Sequence, residues 1–84
     1  MSIDVTNEDR YLTAVIEQFR QEATELTGFE LRKRLWHSCV VVCEITDRFA
    51  DWHLTLSEIA FNAGISPREV VATVKSARRK IGVA

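Results

Sequence analysis

Four residues, Gly64-Ile65-Ser66-Pro67, constrain this chain more than any other feature. A glycine ends a helix readily because it adopts positive φ without a Cβ penalty. Ser66 precedes Glu69 by three residues, the spacing of a capping box. In that arrangement the hydroxyl accepts from a free amide of the first turn, and the glutamate reaches back to the cap amide. Pro67, at the first helical position, lacks an N–H that would be orphaned there in any case. One helix therefore stops and another starts within four residues. Ile65 is apolar inside this turn, which suits a wedge between two packed helices.

The apolar spacing on either side agrees. Leu56, Ile59, Ala60 and Ala63 fall at helical spacing before the turn. Val70, Val74, Ala77 and Ile81 follow it at i, i+4, i+7 and i+11, which is one helix face. Thr55 and Glu58 repeat the capping-box spacing, so the first helix of the pair is expected to begin there. Ala60 and Gly64 are small where a near-perpendicular pair must approach closely.

Upstream, Thr6 and Asp9 form another cap-like pair, and a helix is expected from about Asn7 to Leu26. Residues 1–5 carry no strong signal and are expected to fray. The stripe Leu12, Val15, Ile16, Phe19, Ala23 and Leu26 is apolar, while Glu17, Arg20, Gln21 and Glu25 occupy the opposite face. Thr27 and Glu30 have the capping spacing again, and Gly28 between them predicts a sharp corner. A second long helix is expected from about Phe29 to Asp51. Within it, Cys39-Val40-Val41-Val42-Cys43 is apolar all round and rich in β-branched residues. A buried strand competes for this stretch, but its flanks are helix-compatible and no second strand is available to pair with it.

The chain thus reads as all-α, with about four helices. At 84 residues it is one domain near the lower end of what folds alone. Residues 6–53 form a helical support and dimerisation region, and residues 54–82 form the C-terminal helix pair. A helix apolar on every side must be buried on every side. Leu35, Trp36, Cys39, Val40, Val42, Cys43 and Phe49 are therefore expected to contact a second copy of the chain. The alternative is that the first helix and the C-terminal pair cover them within one copy.

Charge is unevenly distributed. Residues 1–53 hold six basic and ten acidic side chains, and residues 54–84 hold five basic and two acidic. Basic charge collects where phosphate contacts need it. Arg78-Arg79-Lys80 also complements the C-terminal end of a helix dipole. No run of ~18 or more apolar residues suggests a membrane span. The N-terminus carries Asp4, Glu8 and Asp9 and no basic leader, so a cytoplasmic location is expected.

Little in the chain points to catalysis. Cys39 and Cys43 lie one helical turn apart, too far for a mutual disulfide, and read as small buried hydrophobes. His37 and His53 match no zinc spacing, and neither a metal nor a cofactor is expected. Trp36, Trp52 and Phe61 are not interleaved with basic residues, so they read as anchors rather than stacking platforms. The three glycines are isolated, no serine has an evident His/Asp partner, and no small-molecule ligand is implied. An enzyme is not expected.

The segment from Leu54 to Ile81 resembles the helix-turn-helix family, in the version found in sigma-factor region four and response-regulator output domains. The matching residues are Glu58-Ile59-Ala60, Gly64-Ile65-Ser66-Pro67, Val70 and Ala77-Arg78-Arg79-Lys80-Ile81, about a third of the chain. Glu69 before Val70 departs from the Thr-Val that family members often carry, and Val71-Ala72 is less polar than a usual reading surface. The resemblance implies that the second helix enters the major groove of double-stranded DNA. It places Ser66, Pro67, Arg68, Val71, Ala72 and Lys75 toward bases. It places Thr55, Ser57, Thr73, Ser76, Arg78, Arg79 and Lys80 near phosphates. The implied function is a homodimeric transcriptional regulator, a repressor on a palindromic operator, of the kind found in bacteria, plasmids and phages. The alternative is a protein-interaction module contacting RNA polymerase or a sigma factor.

Overall fold

A computed structural model describes the backbone of residues 2–46 and 49–82 and, within these, the side chains of 7–46 and 52–82. The chain is all-α. Helix α1 spans Ser2–Ala23, α2 Gly28–Ile45, α3 Phe49–Asn62 and α4 Pro67–Lys80, with no strand among the described residues.

The turn before α4 forms as its chemistry dictates. Gly64 takes φ 104°, a conformation that L side chains resist. Its N–H donates to Phe61 O at 3.0 Å, and the Ile65 N–H donates to Ala60 O at 3.0 Å. These two bonds satisfy carbonyls that the end of α3 would leave bare. Ile65 and Ala60 are both buried, so the turn is also held by an apolar contact at the helix end. A Cβ on Gly64 would meet nothing within 4 Å. The glycine is therefore required by its backbone angle, and the close approach expected there is absent. Ser66 Oγ accepts from the Glu69 N–H at 3.3 Å, with Pro67 at the head of α4. The Glu69 carboxylate turns to Arg32 on α2 at 3.5 Å, so only half of the expected capping box is made.

Two other expected helix starts are displaced, and a third is in place without its side-chain cap. Helix α1 begins at Ser2, which puts Thr6 inside the helix and extends regular backbone through residues expected to fray. It ends at Ala23, short of Leu26, where Thr24 Oγ1 donates to Gln21 O at 2.7 Å. Thr27 is extended as a cap should be, but its side chain makes no cap bond; the corner comes from Gly28 at φ 56°. Helix α2 ends at Ile45 and not near Asp51. Thr46 is extended, and its N–H donates the last bond to Val42 O. Helix α3 begins at Phe49, so Thr55 lies in its interior and does not cap it. The early break lets the chain fold back, so that Leu56, Ile59 and Ala60 can cover the core.

Helix α2 is the central element: it packs against α1, α3 and α4, while α1 and α4 do not touch among the described residues. Three residues of the expected dimer seam are already covered within one chain. Leu35, Cys39 and Val42 have no accessible surface within a single chain, where they meet Leu12, Phe19 and Leu56 in one core. Trp36, Val40 and Cys43 pack against the same core. Phe49, the remaining seam residue, has a side chain outside the described residues. Three helices of the same chain cover Leu35, Cys39 and Val42 completely, while Trp36, Val40, Val41 and Cys43 stay half-buried.

Candidate nucleic-acid interface

Helix α4 divides into three faces. Val70 and Ala77 are buried, with Val74 and Ile81 half-buried beside them, and these hold α4 to the core. A second face lies along α2, where Glu69 meets Arg32 and Ser76 Oγ accepts from the Trp36 indole N–H at 3.1 Å. The third face is open. Arg68, Val71, Ala72, Lys75 and Arg79 recur at i, i+3, i+4, i+7 and i+11, and all are exposed. Val71 keeps 51% of its surface accessible and adds an apolar side chain to this face.

Every residue expected to face bases is exposed: Ser66, Pro67, Arg68, Val71, Ala72 and Lys75. Among the described residues no carboxylate pairs with Arg68 or Lys75, so both cations face solvent. The phosphate set is less uniform. Arg79 and Lys80 are exposed, and Ser76 is exposed with its O–H still able to donate outward. Thr73 is half-buried on the α2 side. Arg78 turns inward, with its Nε inaccessible, and lies near enough to Cys43 to act on its thiol. Burial raises the Cys43 pKa most strongly, and the Arg78 charge opposes that rise.

Thr55 and Ser57 do not suit their expected role. Free backbone amides exist only in the first turn of a helix. With α3 starting at Phe49, the amides of both residues sit beyond that turn. Ser57 is also buried, at 9% exposure.

The structure adds residues that the resemblance did not reach. The start of α2 lies beside α4, bringing Phe29, Arg32 and Lys33 next to Ala72, Thr73 and Ser76. The run Arg32-Lys33-Arg34, three cations in an otherwise acidic half, was the signal for this neighbourhood. Arg34 is engaged elsewhere, pairing with Glu22 of α1 at 3.0 Å. Among the described residues no cluster of His, Cys, Asp or Glu could hold a metal, and no helix is long and apolar enough to cross a membrane.

No protein-family model, curated protein or solved structure matches the chain.

Proposed function

We propose that the chain binds double-stranded DNA with α4 in the major groove and acts as a transcriptional regulator. The observation that carries this reading is the open face of α4. It presents Arg68, Lys75 and Arg79 in line with Val71 and Ala72, and no carboxylate interrupts the stripe. Arginine reads guanine through O6 and N7, and small apolar side chains suit thymine methyls. Lys80 extends the cationic surface toward the flanking phosphates. The acidic residues of α1 sit across α2 from this face, where they do not repel a polyanion at close range.

Repression by occupying a promoter is the simplest mode for such a unit. Two copies on an inverted repeat belong to the same reading, with a seam outside the core residues Leu35, Cys39 and Val42. The second reading is a module that binds RNA polymerase or a sigma factor, and the acidic side chains of α1 are the feature that favours it.

Selection of bound sequences from a random duplex pool tests the proposal. An enriched inverted repeat supports a dimeric regulator, and an enriched single half-site supports a monomeric one. Absence of binding even at low salt refutes the DNA reading and favours the protein-interaction module, since phosphate contacts strengthen as salt falls.

A further inference from the structure

Between α2 and α4 runs an open cleft of about 370 Å³. Phe29, Trp36 and Thr73 line it together with Arg32, Lys33 and Ser76. Phe29 is 65% exposed at its mouth. The folded chain leaves most of this ring uncovered, which offers apolar area to a partner. Trp36 supplies a second ring whose N–H is already satisfied by Ser76, so its remaining accessible surface is apolar. Lys33 is exposed, and Arg32 is held at 3.5 Å by Glu69 with its side chain still partly accessible. The lining itself holds no carboxylate among the described residues, and Glu69 reaches it only through Arg32.

We infer that this cleft seats one sugar–phosphate strand of the duplex, beside the groove that α4 enters. The inference rests on the DNA reading proposed above and extends it to a second helix. Deoxyribose is a compact, largely apolar ring, and Phe29 and Trp36 give it a floor. The phosphates on either side of it are anions, and Lys33 and Arg32 sit where they would be neutralised, with the Thr73 hydroxyl as a further donor. Continuity with α4 sets the position. Ala72 lies both on the open stripe of α4 and on the rim of the cleft, so a strand in the cleft runs next to the bases α4 faces. The contact carries no base information. It orients α4 and adds salt-dependent affinity on any sequence.

The test is a salt titration of binding to a labelled duplex by the full chain and its variants, read by anisotropy. Removing one phosphate contact takes ~0.9 off the slope of log K against log salt, about an eightfold loss at 0.1 M salt. Lys33→Ala is expected to show that loss on specific and unrelated duplexes alike, and Lys33→Arg to restore the slope. Phe29→Ala is expected to weaken binding with the slope unchanged, since it removes a contact and no charge. Both side chains are exposed, so both variants keep the core, which circular dichroism checks. A direct readout is Trp36 emission in a Trp52→Phe background, which should change when unlabelled duplex is added. If the unmodified chain binds duplex while Lys33→Ala keeps its slope and Trp36 emission stays constant, the cleft is empty in the complex. That outcome overturns this inference and leaves the DNA reading standing. If the unmodified chain binds no duplex at low salt, both fail together.

Discussion

Replacing Leu35 by alanine puts the fold and the assembly to one test. Leu35 has no accessible surface and sits midway along α2, the helix that touches all three others. Buried Leu→Ala changes cost roughly 2–5 kcal/mol, more when surrounding elements cannot close the cavity. With helices on several sides of α2, collapse at this point would have to move more than one of them, so about 3 kcal/mol is expected. A chain of 84 residues has a total stability of roughly 4–13 kcal/mol. The variant therefore loses a large share of it, and its Tm should fall by roughly 12–24 °C. Urea unfolding, followed by circular dichroism at two protein concentrations an order of magnitude apart, measures this. A core leucine gives a large loss with a midpoint independent of concentration. A loss under ~1 kcal/mol, or a midpoint that rises with concentration as dimer stability does, would refute the assignment of Leu35 to a single-chain core.

Arg68→Ala should weaken binding to a selected duplex by roughly 1–3 kcal/mol at particular base pairs. Arg79→Ala should weaken all sequences alike and lower the salt slope by ~0.9; equal loss on every sequence for Arg68→Ala would remove its reading role. Ser66→Ala, which deletes the bond to the Glu69 N–H, should cost about 1 kcal/mol in thermal unfolding. Thr27→Ala, where the side chain makes no cap bond, should stay within ~0.5 kcal/mol of the unmodified chain. Burial, and secondarily the neighbouring Cys43, push the Cys39 thiol up to about 12 from an ordinary value near 9.0. The folded state thus favours the protonated thiol. Its contribution to stability is complete below pH ~9 and is lost as pH rises toward ~12. A stability–pH curve should flatten over that window in Cys39→Ala, and an unchanged curve would argue against the burial of Cys39.

The turn and the open face of α4 were legible in the sequence because both depend on local rules. Gly64, Ser66 and Pro67 each act on the backbone within a few residues, and nothing distant is needed for a glycine to take positive φ. The alternation of Val70 and Ala77 with Arg68, Val71, Ala72 and Lys75 is helical geometry, so the inner and outer sets follow once the helix exists. The capping signature alone was weaker. The same spacing occurs at Thr6, Thr27, Thr55 and Ser66, but only Ser66 forms the side-chain bond among those described. A threonine within a helix satisfies the spacing as well as one at its start.

The end of α2 had no such local mark. No glycine or proline separates Ile45 from Phe49, and the helix stops where the chain must reverse to bring α3 onto the core. That displacement moved the start of α3 and took Thr55 and Ser57 away from any free amide. The apolar stretch of α2 shows the same division between local and distant causes. Composition determined that Leu35, Cys39 and Val42 are buried, because so much apolar surface cannot stay in water. It did not determine what buries them, since the hydrophobic effect is non-directional and a second copy would serve as well as three helices of the same chain. Only the tertiary arrangement decided that, and by laying α4 along α2 it also brought Phe29 and Lys33 to the edge of the face that α4 leaves open.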